Sequence, residues 1–213
     1  VSTVPRSSNT TVVISGVLSG VTKTRTLTVK APAMSAVSVS PTSVKGGMAA
    51  TLNVTLTGNA PAGGTAVALT SSNTQAATLP ATVMVAAGVK TATASVTTLG
   101  VGASSTVTLT AASGGVSKTG QLTIQPAILT GLTISPETIP GGTTTTGTLT
   151  LDGPAGPSGA TVVLESSDTN VATVPPSTVI GAGSSIGTFQ IDGAAVAEDG
   201  LATISATLGT ETH

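Results

Sequence analysis

The sequence predicts an all-β protein of tandem Greek-key β-sandwiches, and three observations carry that prediction. Thr, Ala, Val, Ser and Gly dominate the 213 residues, and branched Thr and Val favour pleated strands while Gly and Pro supply turns. Apolar residues alternate with polar ones at a period of two over many short runs. The chain also repeats itself: shifted by 95 positions it matches without a gap from its first strand pair to its end.

The repeat sets the organisation. Ser40-Pro41 recurs as Ser135-Pro136, Gly46-Gly47 as Gly141-Gly142, Val67 and Leu69 as Val162 and Leu164, and Gly88 as Gly183. At the N-terminus Thr11, Val12, Gly20, Val21, Lys23, Thr24, Leu27 and Thr28 fall on Thr106, Val107, Gly115, Val116, Lys118, Thr119, Leu122 and Thr123. Residues 1–33 are therefore expected to hold the C-terminal hairpin of a preceding repeat or a donor segment. Residues 34–127 are expected to form a complete domain, and residues 128–213 a domain lacking its last strand. Val1 in place of an initiator Met is read as the mark of a processed or excerpted product.

Within 34–127 the alternation predicts strands near 37–44, 51–57, 65–71, 76–79, 83–86, 91–97, 104–112 and 116–125. Leu52, Val54 and Leu56 share one face and Thr51, Asn53 and Thr55 the other, as a half-buried strand requires. Turn chemistry falls between the runs, at Lys45-Gly46-Gly47, Asn59–Gly64, Ala86-Ala87-Gly88 and Ser113-Gly114-Gly115. This number and spacing of strands suits a Greek-key sandwich.

The openings SVSPTSVKGG and TISPETIPGG, with the central SSNTQAATLP (Ser71–Pro80) and SSDTNVATVP (Ser166–Pro175), make the chain resemble the bacterial immunoglobulin-like repeat domains of surface adhesins and invasin-type proteins. The resemblance implies tandem immunoglobulin-like sandwiches in an extracellular or cell-surface protein, and it brings no catalytic residue. The chain departs from the antibody type in having no Trp, no Tyr and no Cys. Phe189, in the place of Ala94, is read as filling volume in the last core.

The sequence offers little to build chemistry from. Its single His is His213, so neither a Ser-His-Asp arrangement nor a His-based metal site has raw material. The expectation is a non-enzyme with no cofactor, no metal and no catalytic residue. Asp152, Asp168, Asp192, Glu198 and Asp199 lack the spacing of a calcium loop and are read as solvated turn residues. Sugar-stacking Trp and Tyr are absent, as is a basic aromatic surface for nucleic acid. No apolar run reaches the roughly 18 residues of a membrane helix. Lys23 and Lys118 are equivalent positions, but no acid in their repeats stands ready to catalyse an isopeptide crosslink. The sequons at Asn9 and Asn53 are read as chance in a Thr-rich chain.

Charge is segregated beneath a net value of −1. Every acid, from Glu137 to Glu211, lies in the last repeat, which has no Lys or Arg, whereas Arg6, Lys23, Arg25, Lys30, Lys45, Lys90 and Lys118 precede it. The partners expected are other repeats of the same chain. Two functional readings stay open: a stalk or fibre module of an adhesin-like surface protein, and a subunit that associates head-to-tail by β-strand donation. An accessory module of a secreted hydrolase is a third. The interface candidates are Val21, Lys23, Arg25, Leu27, Val29 and Lys30 on the basic segment, and Leu201, Ile204 and Leu208 at the acidic end.

Overall fold

A computed structural model describes residues 2–213. The described residues contain strands, turns and bends and no helix. The first two strands, β1 (Thr10–Leu18) and β2 (Val21–Val29), form a two-stranded antiparallel hairpin. Its tight turn puts Ser19 and Gly20 at φ 48° and 78°, the left-handed pair that matches the twist of a two-residue hairpin.

Nine strands follow: β3 (Met34–Ser40), β4 (Ser43–Lys45), β5 (Ala50–Leu56), β6 (Thr65–Ser71), β7 (Ala77–Thr78), β8 (Thr82–Val85), β9 (Thr91–Thr98), β10 (Ser105–Ser113) and β11 (Val116–Gln125). They build a four-stranded sheet in the order β3-β5-β9-β7 and a five-stranded sheet in the order β4-β11-β10-β6-β8. The last eight are β12 (Leu129–Ser135), β13 (Thr144–Leu151), β14 (Ala160–Ser166), β15 (Ala172–Thr173), β16 (Ser177–Ile180), β17 (Ile186–Gly193), β18 (Ile204–Leu208) and β19 (Glu211–Thr212). They form the sheets β12-β13-β17-β15 and β16-β14-β18-β19. The protein is all-β, built of immunoglobulin-like β-sandwiches.

The period-two pattern decides which side chains go inside. Leu52, Val54 and Leu56 of β5 are buried, while Thr51 points out to solvent and Asn53 and Thr55 stay half-exposed. In the last sandwich Leu149, Leu151, Val162, Leu164, Ile180 and Ile191 close the core around Phe189.

The 95-residue shift survives in atomic detail. Asn73 Oδ1 accepts the Gln75 amide at 3.0 Å and Asp168 Oδ1 accepts the Asn170 amide at 2.9 Å. Ser72 Oγ accepts the Thr108 amide at 2.9 Å and Ser167 Oγ accepts the Thr203 amide at 2.8 Å. SSNTQ and SSDTN therefore encode the same turn, in which the side-chain oxygen bonds the backbone two residues on.

Two sequence readings are corrected. The strand expected over 37–44 is broken at Pro41, and its halves go to different sheets: β3 pairs antiparallel with β5, and β4 pairs parallel with β11. Proline lacks the amide that a continuous ladder needs. The last repeat was also expected to stop before the counterpart of Val116–Gln125. It forms the first residues of that strand as β19, with Thr207 facing Thr212, Leu208 facing Glu211, and paired backbone bonds between Ala206 and His213.

Two compact units divide the chain. The first comprises residues 2–42, Ala49–Thr97 and Thr106–Leu122, and the second Ser43–Met48, Thr98–Ser105 and Thr123–His213. The second thus takes in short segments from within 34–127.

Candidate interaction surfaces

Apolar and charged groups gather at three surfaces among the described residues. Among the described residues no three His, Cys, Asp or Glu side chains gather where an ion could be held. His213 Nε2 lies 3.2 Å from the Leu129 carbonyl oxygen, a bond to backbone that ties the end of β19 down.

The first surface is the hairpin. Its register sets Val12 opposite Leu27, Ile14 opposite Arg25 and Gly16 opposite Lys23. Val21, Lys23, Arg25, Leu27 and Val29 therefore share a face with Val12 and Ile14. The repeat counterparts Val107, Leu109, Leu122 and Ile124 are fully buried, yet Val12 is 48% and Ile14 40% exposed. Leu27 and Val29 are half-buried, and Lys30 follows the strand with its side chain in solvent. The hairpin's open end is held by the Ala31 amide donating to Asn9 Oδ1 at 2.9 Å.

The second surface belongs to the second compact unit and centres on an ion pair that no local sequence signal announces. Lys45 Nζ sits 2.7 Å from Asp152 Oδ2, and the Ile128 amide donates to Asp152 Oδ1 at 2.8 Å. Partial burial pushes the Asp152 carboxyl upward, but the Lys45 hydrogen bond, the Ile128 amide and the Lys45 charge outweigh it and hold the pKa below the usual carboxylate value. Around this pair the backbone packs closely. A Cβ on Gly100 would fall onto the carbonyls of Pro154 and Ala155, and one on Gly156 onto Val101 and Gly102.

The sign of the pH effect follows from the lowered pKa. The stabilisation is fully present above the unfolded carboxylate value of about 3.9 and is lost as pH falls through the lower folded value. Asp152→Asn keeps an oxygen for the Ile128 amide but loses the charge. We expect it to cost about 0.5–1 kcal/mol at neutral pH and to flatten the acid limb of the stability curve, read by denaturant titration from pH 7 to pH 2. An acid limb identical to that of the parent protein would show that Asp152 contributes nothing there.

The third surface, also in the second unit, is a groove of about 470 Å3 bordered by 137–141 and 194–204. Ile134, Ile139, Val171, Ile191, Val196, Leu201 and Ile204 are among its apolar lining, and its charged lining residues Glu137, Glu198 and Asp199 are all acidic. Leu201 is 90% exposed, Ile204 is buried and Leu208, outside the groove, is half-buried. The sequence candidates at the acidic end thus separate into two groove residues and one that pairs with β19. Ile139 and Val196 were missed, although their equivalence to Val44 and Val101 was readable in the repeat.

Comparison with known proteins finds no matching family model and no matching curated protein. Solved structures do match. The Escherichia coli adhesin FdeC is 21% identical over 95% of this chain and 69% of its own, with a TM-score of 0.38. InvD of Yersinia pseudotuberculosis is 22% identical over 83% of this chain and 55% of its own, with a TM-score of 0.34. The I9–I11 tandem of titin is 8% identical over 80% of this chain and 59% of its own, with a TM-score of 0.31. All three lie at the level of fold alone.

Proposed function

We propose that this chain is a non-catalytic structural module of an extracellular or cell-surface protein, in which tandem immunoglobulin-like repeats over 34–127 and 128–213 carry tension along a stalk or fibre. One observation supports this reading above the rest: β4 and β11 pair parallel, with Ser43 facing Thr123, Val44 facing Ile124 and Lys45 facing Gln125. The Gly46 amide extends the ladder by donating to the Gln125 carbonyl at 3.0 Å. The chain enters through β3 and β4 and leaves at the end of β11. A pull along the chain therefore draws the two strands in opposite directions along their shared axis, and their hydrogen bonds are loaded together in shear instead of parting one by one.

Single-molecule extension of the 213-residue chain tests the proposal. The expected record has a resolved unfolding step for 34–127, and Val44→Pro, which removes an amide from β4, lowers the force of that step. An unfolding force unchanged by Val44→Pro, or extension with no resolved step, would overturn the mechanical reading.

A second reading, a subunit that associates head-to-tail by strand donation, is favoured by the apolar hairpin face that its own repeat counterpart buries.

A further inference from the structure

We propose that Lys45, Gln125, Ile128 and Asp152 close a ring of bonds that latches β4 onto β11, so that the ion pair must break before the two strands can slide. The consequence for force rests on the mechanical reading above. The ring itself does not, and all four of its members lie in the second compact unit.

The ring can be followed bond by bond. Lys45 faces Gln125 in the parallel pair of β4 and β11, and the Gly46 amide donates to the Gln125 carbonyl at 3.0 Å. The chain then runs through Pro126 and Ala127 to Ile128. The Ile128 amide donates to Asp152 Oδ1 at 2.8 Å, and the Asp152 amide donates back to the Ile128 carbonyl at 3.1 Å. Lys45 Nζ, 2.7 Å from Asp152 Oδ2, completes the circuit. One carboxylate therefore gives one oxygen to the main chain and the other to the lysine. Main chain crowds the ring from within: a Cβ on Gly153 would lie 3.2 Å from the Gly46 carbonyl oxygen, and one on Gly47 2.7 Å from Pro154 Cγ.

The repeat separates the latch from the brace on which it is built. Shifted by 95 positions, Asp152 falls on Thr57 and Ile128 on Ala33. Thr57 Oγ1 accepts the Ala33 amide at 3.1 Å, and the Thr57 amide donates to the Ala33 carbonyl at 2.9 Å. The reciprocal brace is thus common to both repeats, and a neutral hydroxyl suffices for it. What the carboxylate at 152 adds is the bond to Lys45, whose own repeat counterpart is Pro140. Both partners of the ion pair therefore depart from the residues the repeat places elsewhere, and they depart together.

Geometry gives the latch its direction. A pull along the chain draws β4 back toward β3 and draws the end of β11 on toward Ile128. Two main-chain bonds make Asp152 travel with Ile128, so sliding β4 along β11 parts Lys45 from Asp152 as the ladder is loaded. The ion pair and the ladder bonds are then strained in one event. The two side chains are 28% and 27% exposed, so dissolved salt reaches the pair and screens it. The latch is therefore tight in dilute electrolyte and loose in concentrated salt.

Native-state hydrogen exchange of the full 213-residue chain tests the ring, with the Gly46 amide as its reporter. Lys45→Met removes the ammonium and leaves the backbone of β4 in place. Asp152→Thr installs the residue of the other repeat and keeps the brace. Each should speed Gly46 exchange about two- to fivefold, the scale of an exposed ion pair. The Leu69 amide, which bonds the Ala81 carbonyl in the same repeat, should be unchanged. The double variant should exchange no faster than either single one, and about 1 M sodium chloride should speed Gly46 in the parent protein but not in the variants. At constant force, the unfolding step that Val44→Pro weakens should occur about two- to fivefold sooner in Lys45→Met and Asp152→Thr. Unchanged Gly46 exchange in both single variants, or effects that multiply in the double variant, would overturn the ring. Faster exchange with an unchanged rupture rate would overturn its share in bearing load. A Val44→Pro protein with every step intact would remove the mechanical reading instead, and Gly46 exchange would still decide for or against the ring.

Discussion

Gly147→Leu is expected to destabilise residues 128–213 by about 3 kcal/mol, the upper range for forcing extra methylenes into a packed core. Gly147 sits directly across the β13–β17 pair from Phe189, and a Cβ there would lie 2.5 Å from Phe189 Cε1. At the equivalent pair in 34–127, Leu52 faces Ala94. One repeat thus places large against small and the other small against large, and the two cores fill similar volumes by opposite means. Phe189→Ala alone should cost about 3–5 kcal/mol through the cavity it leaves. The double variant Gly147→Leu with Phe189→Ala recreates the Leu52–Ala94 pair and should recover most of both losses. A double-mutant cycle in urea, followed by far-ultraviolet circular dichroism, measures the coupling. Strictly additive losses would mean that the two positions do not share one volume.

Gly156→Ala is the second large expectation, a loss of about 1–3 kcal/mol from backbone crowding. The new methyl would lie 2.7 Å from the Val101 carbonyl carbon, and the obstruction is main chain, which has little freedom to withdraw. Gly100→Ala meets the same difficulty from the other side, with the Pro154 oxygen 2.5 Å away. Because the two glycines crowd one another's loops, the pair of substitutions should be less than additive. Thermal melts of the two single variants and the double variant decide the matter. Alanine at Gly156 with an unchanged melting temperature would show that the loops separate at little cost.

Much of this architecture was legible in the chain. The 95-residue shift gave strand positions, turns and the Asn73 and Asp168 loops, because each of those features depends on residues close together in sequence. The division of 37–44 at Pro41 was equally local and could have been read from the missing amide. The Lys45–Asp152 pair was not legible: it joins residues far apart in the sequence, and charge counting alone shows segregation, not contact. The compensation at Gly147 lay within reach, since the shift that places Phe189 on Ala94 also places Gly147 on Leu52. Finding it required knowing that those two positions face each other across a strand pair. The groove was half legible: Leu201 and Ile204 stood out as apolar residues at the acidic end, while Ile139 and Val196 line it only because β4 and the 98–105 segment have counterparts that fold beside them.

Phe189 is the chain's single aromatic residue, and it is enclosed in the core of the last sandwich. That solitude makes it an intrinsic optical and magnetic label. Near-ultraviolet dichroism of this protein comes from one ring, so it reports the packing of 128–213 alone, while the far-ultraviolet signal reports all of its strands. The same ring lies over the Gly147 backbone, where its current should displace the glycine α-proton resonances from their usual positions. One pair of shifted lines then follows the melting of one sandwich in a molecule whose two repeats are otherwise hard to tell apart.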